Sequence, residues 1–332
     1  MFGLQSRLVQ AQQASSPTRY LEEEHVKAGR EAEQIVFELL KTEGGIHPDD
    51  MFCRIRIPSE FHTRRYEIDI VILTAYGLFA VEIKNWSGEV NTTKDKESWV
   101  QRKRKHGDNG ASVEYELQHN NAAASIQSKT QLLRNHLIRN GCCLKEKFFH
   151  HRVLFVNKNV KLHEDIASIP EVILPETMSY FVKSFQWSLL GKITSALTPS
   201  LLSGQLSYSV MDSARSILSK TGTWDVIELH GGKQLQGDFR GCEHFTPNRA
   251  ETEILQFSHQ RSPKLSSTWA VLGYTPQVEV TMFTRDGLGW FWNSTVGSVN
   301  IPYNSDVVFR VADENTDSKI PAHKIDKIIL SV

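Results

Sequence analysis

The chain has 332 residues, 40% of them hydrophobic and 23% charged, with 38 Lys plus Arg balanced against 38 Asp plus Glu. That is the make-up of a soluble globular protein with room for two domains. It excludes a global field directed at nucleic acid, membrane or acidic partners, although not a local basic groove. No apolar run approaches the roughly 18 residues needed to span a bilayer, so no membrane association is expected.

The opening MFGLQSRLVQAQQASSPTRY lacks the continuous apolar core of a signal peptide and reads as a mobile or loosely docked arm over 1–19. Residues 20–43 place Ala32, Val36, Leu39 and Leu40 on one face, which predicts a long amphipathic helix stopping near Gly44 and Gly45. Strands follow in MFCRIRI and in the two halves of EIDIVILTAYGLFAVEIKNW (67–86). A polar segment with a short strand near 98–101 leads to helical spacing over 116–139 through Ile126, Leu133 and Leu137. HRVLFVN and EVILP read as strands and TMSYFVKSF as the start of another helix, which together predict an α/β domain over 20–197. A junction is expected around 198–205. Beyond it WDVIELHGG, KQLQGDF, TWAVLG, VEVTMFTRDGLGWFW, DVVFRVA and KIDKIILSV predict an all-β domain over 205–332. A small barrel or sandwich is expected there, with its first and last strands like those of an SH3-like or Sm-like barrel.

The hairpin carries charges in its middle. A turn through Thr74 to Gly77 sets Leu73 opposite Leu78, hence Asp69 opposite Glu82 and Glu67 opposite Lys84, all on one face. Ile68, Ile70, Ile72, Val81 and Ile83 then take the other face. Two carboxylates opposed across ~5 Å repel each other unless something positive lies between them. A hard divalent cation answers that need, with Mg²⁺ first and Mn²⁺ as an alternative, and Lys84 is placed to handle an attacking water or charge on a phosphate. On the helical wheel Glu33 borders the buried stripe while Glu31 falls on its opposite edge, so Glu33 is the expected third acid. Gly29, one turn earlier, is read as making room for the sheet. The alternative for the hairpin charges is a cross-strand salt-bridge ladder on an exposed face.

The order GREAEQ (29–34), EIDIVI with Asp69, the turn at Gly77, VEIKNWSGEV with Glu82, Lys84, Trp86 and Gly88, then Trp99 and the strand HRVLFVN, resembles the nuclease-related domain (NERD). That family is a branch of the PD-(D/E)XK restriction-endonuclease-like superfamily. The resemblance covers about half the chain, from Gly29 to about Phe181. It implies a mixed sheet flanked by helices, a metal site at the hairpin built from Asp69, Glu82 and Glu33 beside Lys84, and a role in DNA processing. It also implies a functional glutamine on the following helix, for which Gln127 is preferred over Gln118. Where members carry Gly-Glu, this chain has Ala32-Glu33.

The run QRKRKH (101–106) is read as a basic loop in which Arg102, Lys103, Arg104 and Lys105 contact nucleic-acid phosphates, extended by Arg64 and Arg65. The alternative is a solvated loop. The 13 histidines show no HExxH or paired metal spacing, so zinc is not indicated. Cys53, Cys142, Cys143 and Cys242 have no CxxC spacing, which suits a reducing intracellular compartment, cytoplasmic or nuclear. Trp290, Phe291 and Trp292 are a candidate stacking platform in the β domain, for a base or a peptide. Three functions follow: a Mg²⁺-dependent nuclease acting on DNA, a nuclease-like nucleic-acid-binding module with weak turnover, and an interaction protein that recruits a partner through its β domain.

Overall fold

The computed structural model describes residues 5–6, 8–10, 18–59, 65–106, 112–195, 205–259, 276–285, 295–312, 314 and 316–331. The chain divides into two compact units, His25–Thr223, and Met1–Glu24 together with Trp224–Val332. Most of the expected junction, 198–204, lies outside the described residues.

The first unit is α/β. Its main sheet has the order β1-β2-β3-β7-β9, built from β1 (Met51–Pro58), β2 (Arg65–Thr74), β3 (Gly77–Lys84), β7 (Phe149–Phe155) and β9 (Val172–Ile173). The first three strands run antiparallel and the last two join in parallel, so the sheet is mixed. Both faces are buried. On one, Ile70, Ile72, Val81, Ile83 and Leu154 pack with Ala32, Val36 and Leu40 of α1 (Glu24–Thr42) and with Val182 and Phe185 of α4 (Met178–Ser195). On the other, Val71, Leu73, Leu78, Ala80, Val153 and Phe155 join Ile126, Leu133 and Leu137 of α2 (Ala122–Arg139). Full burial of each such aliphatic side chain contributes about 1.5–3 kcal/mol.

Ile68 departs from the expected alternation. It belongs to the α2 side with Val71, three residues on, so β2 changes phase between them. Gly29 also departs from expectation: a Cβ there would meet nothing within 4 Å, so it makes no room for the sheet.

A second sheet has the order β6-β5-β4-β8, from β4 (Gly88–Thr92), β5 (Ser98–His106), β6 (Ser112–Asn120) and β8 (Val160–Leu162). The basic run is therefore the second half of a strand, not a loop, and the helix expected from 116 begins at Ala122. Asn121 sets that start by accepting the amides of Ala123 and Ala124 at 3.0 and 3.1 Å. A helix that the sequence reading did not anticipate, α5 (Tyr208–Leu218), buries Ala214 and Leu218 in the same core as α2. Its Arg215 Nη2 lies 2.7 Å from Asp50 Oδ1, and the preceding Leu206 amide donates to the Ala75 carbonyl at 2.7 Å. The short helix α3 (Glu164–Ala167) contributes Ile166 to that core.

The β2–β3 turn depends on Gly77, whose φ is +139° and whose missing Cβ would lie 2.2 Å from the Phe148 carbonyl oxygen. Gly77→Ala is expected to cost at least about 1–3 kcal/mol, combining an unfavourable backbone with a clash against fixed main chain. Thermal unfolding checks this at roughly 2–4 °C per kcal/mol. A variant that melts with the wild type would show that the turn relaxes freely.

The second unit carries one antiparallel sheet of order β14-β13-β12-β17-β10-β11-β15-β16. Its strands are β10 (Asp225–Leu229), β11 (Gln234–Cys242), β12 (Thr252–His259), β13 (Gln277–Thr284), β14 (Thr295–Pro302), β15 (Asp306–Val311), β16 (Ser318–Pro321) and β17 (Ile325–Ile329). The first and last strands pair, Val226 with Ile329 and Ile227 with Ile328. Tyr20 belongs here rather than to the helix that follows it: its amide donates to the His230 carbonyl at 2.5 Å and its carbonyl accepts from Lys233 at 3.1 Å. Asp225 is almost fully buried and satisfied by Arg249 at 2.7 and 3.1 Å and by the amides of Phe239 and Ser331. TWAVLG and the Trp290, Phe291 and Trp292 platform lie outside the described residues. Among the described residues no helix is long and apolar enough to cross a membrane.

Candidate functional site

The hairpin register is the one the turn dictates. Thr74 stands opposite Gly77, Leu73 opposite Leu78, and the ladder continues to Ile70 opposite Val81. One step further it gives way. Asp69 Oδ2 accepts the Ile83 amide at 2.7 Å, so the carboxylate takes a place that a ladder carbonyl would fill. On the other side of β2 the pairing of Cys53 with Ile70 and Ile55 with Ile68 brackets Arg54, the residue level with Asp69. Arg54 has φ +53°, uncommon for a residue with a Cβ. Phe52 and Ile55 both fall on the α2 side, so β1 changes phase where β2 does. Asp69 thus sits at a shared irregularity of two strands. Glu67 does not meet Lys84 in the ladder; it is paired with Arg56 of β1.

Four expected site residues come together here. Glu82 is 7% exposed, and its Oε1 lies 2.8 Å from Lys84 Nζ. Its other oxygen lies 2.8 Å from Lys129 Nζ of α2, a residue the sequence reading missed. Glu33 of α1 is partly buried and its Oε2 lies 2.7 Å from Arg54 Nε. Glu31 is exposed and pairs loosely with Lys27 at 3.8 Å, so the helix presents Glu33 to the sheet as the wheel implied. Gln127 is exposed on α2 and Gln118 is exposed on β6, whereas Lys129 reaches the acids. A signal for Lys129 existed: it follows Ile126 by three residues and precedes Thr130, both on the buried stripe.

The electrostatics separate the two hairpin acids. Burial, and then Glu82, push the Asp69 carboxyl up to about 8, against the Ile83 amide and Lys84, which lower it. Burial also raises Glu82, but Lys84 and Lys129 outweigh it and hold that carboxyl below its ordinary range. Burial lowers Lys84, yet Glu82 more than offsets it, so the ammonium stays charged at neutral pH. Glu33 acts on both Asp69 and Lys84 through space.

All donors at this position are carboxylate oxygens, the chemistry of a hard divalent cation. Asp69 is the acid whose charge is least compensated, and it adjoins Glu82. Glu82 and Glu33 are held by Lys84, Lys129 and Arg54. Among the described residues, no group of three or more His, Cys, Asp or Glu side chains is arranged to hold a metal. Asp69 and Glu82 are the acids that could hold such an ion, Glu82 already meeting Lys84 and Lys129 and Glu33 engaged by Arg54.

Beyond Lys84 the strand leads into aromatic contacts. Lys84 Nζ lies 5.7 Å from the Trp86 ring centroid, and Trp86 stacks on His119 of β6 at 4.2 Å. Gly88, at φ +85°, lets β4 approach the Arg102 carbonyl, where a Cβ would lie 2.2 Å away. The basic run divides by strand alternation. Arg102 pairs with Glu116 and Arg104 with Glu114, at 2.6 and 2.5 Å, on one face. Lys103 faces the other way, near His119, whose proton affinity is lowered by burial, then by Lys84 and Lys103. The side chain of Lys105, and Arg64 altogether, lie outside the described residues; Arg65 is exposed at the start of β2.

A mixed sheet between helices, with acid, acid and lysine meeting across one hairpin, has the make-up of a restriction-endonuclease-like α/β unit. Residues 28–156 match the family model of the nuclease-related domain, a match consistent with the PD-(D/E)XK superfamily. No curated protein and no solved structure matches the chain.

Proposed function

We propose that the unit His25–Thr223 is a divalent-cation-dependent nuclease that hydrolyses phosphodiester bonds of DNA. The observation that carries this reading is that Asp69, bound to the Ile83 amide just past the end of the hairpin ladder, feels the charge of Glu82, which has a charged Lys84 at 2.8 Å. Asp69 and Glu82 are the residues to hold Mg²⁺ or Mn²⁺, with Glu33 available beside them. Such an ion, when bound, supplies Lewis-acid charge to a phosphodiester. Lys84, with its ammonium on Glu82 and its side chain 23% exposed, is the residue to stabilise charge developing on phosphoryl oxygens. Lys129 fixes the Glu82 carboxylate and so sets the position of Lys84. The Ile83 amide orients Asp69.

One observation favours a second reading, a binding module of the same fold with weak turnover. Glu82 and Glu33 are already neutralised by Lys84, Lys129 and Arg54, so the site is internally balanced without an added charge.

Metal titration followed by thermal unfolding, paired with cleavage of labelled single- and double-stranded DNA and RNA, tests the two. For the nuclease, Mg²⁺ or Mn²⁺ raises the melting temperature, by the equivalent of about 2.7 kcal/mol at a hundredfold excess over Kd, and DNA is cut. A melting shift with no cleavage of any substrate selects the binding module. No shift returns the charges to a salt-bridge cluster.

A further inference from the structure

The β5–β6 ribbon has two chemically different faces. On the outer one, Arg102 and Arg104 are cancelled by Glu116 and Glu114, and Glu89 of β4 lies opposite Arg102. On the inner one, register pairs Lys103 with Tyr115, Gln101 with Leu117 and Trp99 with His119. Val113, Tyr115 and Leu117 are 62%, 40% and 38% exposed, a run of apolar side chains left open on an edge strand. Among the described residues of β4, β5 and β6, that face carries no acid. It is also continuous with the site, because His119 stacks on Trp86 and Trp86 lies beside Lys84. Gln101 is buried and fixes the junction, donating to the Ser87 carbonyl at 2.7 Å and meeting His119 Nε2 at 3.2 Å.

We propose that this inner face is a track for single-stranded nucleic acid, delivering an unpaired strand to Lys84. The proposal rests on the nuclease reading of the unit. A duplex presents phosphates outward and hides its base faces, so it has use for Lys103 but none for Tyr115 or Leu117. An unpaired strand uses both, with phosphates on Lys103 and base faces on Tyr115 and the neighbouring apolar side chains. Acids confined to the outer face leave that path free of like-charge repulsion. From His119 to Val113 the strand rises about 3.3 Å per residue, so the track spans roughly 20 Å.

The test is fluorescence anisotropy of a labelled oligodeoxythymidine and of a duplex of the same length, in EDTA, so that binding is read without cleavage. The wild-type chain is expected to bind the single strand more tightly than the duplex. Lys103→Ser with Tyr115→Ala is expected to weaken single-strand binding on the order of tenfold, and Lys103→Ser alone to reduce the salt slope by about 0.7. Tyr115→Phe, which keeps the ring, restores binding. The charge-neutral outer pair Arg102→Ser with Glu116→Ser changes it less than twofold. Unfolding profiles matching the wild type establish that the variants are folded. Inner-face variants that bind like wild type, an outer pair that matters as much, or a wild type that prefers duplex or binds neither would each overturn the track. The nuclease reading is judged separately: single-strand binding without metal-dependent cleavage keeps the track and removes the enzyme, and cleavage with inner-face variants unaffected does the reverse.

Discussion

Lys84→Ala is expected to lower hydrolysis by about 10²–10³ while leaving the melting response to Mg²⁺ in place. On the nuclease reading the two readouts separate, because the residue's charge would serve the phosphoryl group rather than the ion. Lys84 sits on the same strand as Glu82, two residues away, with its ammonium on Oε1 and a side chain that is 23% exposed. Removing it leaves Glu82 with Lys129 on its other oxygen, so the carboxylate remains buried but paired. That limits the stability loss, since a buried charge is most costly when it has no partner at all. Lys129→Met removes the other partner and makes a control. Its side chain is less exposed, at 16%, and on the nuclease reading it would act on the reaction only by positioning Glu82. Its variant should therefore shift the metal midpoint more than the rate at saturating metal. Equal rate losses in the two lysine variants, with the metal response gone from both, would mean that Lys84 has no role distinct from holding the acid.

The hairpin was legible because its determinants are local. Gly77 fixes the turn, alternating Ile and Val fix the faces from Ile70 onward, and those two facts bring Asp69 and Glu82 to the same end of the ladder. The phase change at Asp69 was not legible, because it depends on Arg54, a non-glycine residue at positive φ on a different strand. Nothing in MFCRIRI marks that residue as unusual. The basic run was misread for another reason. Charge density suggested a loop, but the acids that accept Arg102 and Arg104 stand opposite them on β6, at Glu116 and Glu114. The alternation of Val113, Tyr115 and Leu117 was a strand signal, hidden by carrying the helical reading of α2 back to 116. Asn121, a strong cap, marks the true start. Lys129 shows the limit of motif reading: the helix supplies a polar residue to the site, but helix phase, not residue type, decides which.

The metal-free protein is expected to lose stability as pH rises from about 5 to 8, and Asp69→Asn is expected to remove that loss. In the folded chain Asp69 keeps its proton up to about 8, whereas in the unfolded chain it gives it up near 3.9. Between those values the folded state binds more protons, so stability falls with rising pH and levels off above 8. The slope from this one group is at most about 1.4 kcal/mol per pH unit. Glu82 has the opposite displacement, so its contribution disappears only on the acid side, below its ordinary range. His119, His150, His151 and His323 are held below the usual histidine range, chiefly by burial, and stabilise the fold as pH rises through that range. They oppose the Asp69 trend, which makes the difference between variant and wild type the informative quantity. An asparagine keeps an oxygen to accept the Ile83 amide and carries no charge against Glu82, so the variant should match the wild type near pH 5 and melt higher at pH 8. Mg²⁺ should recover the alkaline loss in the wild type and do nothing for the variant. Melting profiles in EDTA and in Mg²⁺ across pH 5 to 8.5 make the measurement. Parallel profiles for the two proteins would mean that Asp69 is ionised throughout, its charge met by Lys84, and that the hairpin acids form a settled ion-pair cluster with no place for a cation.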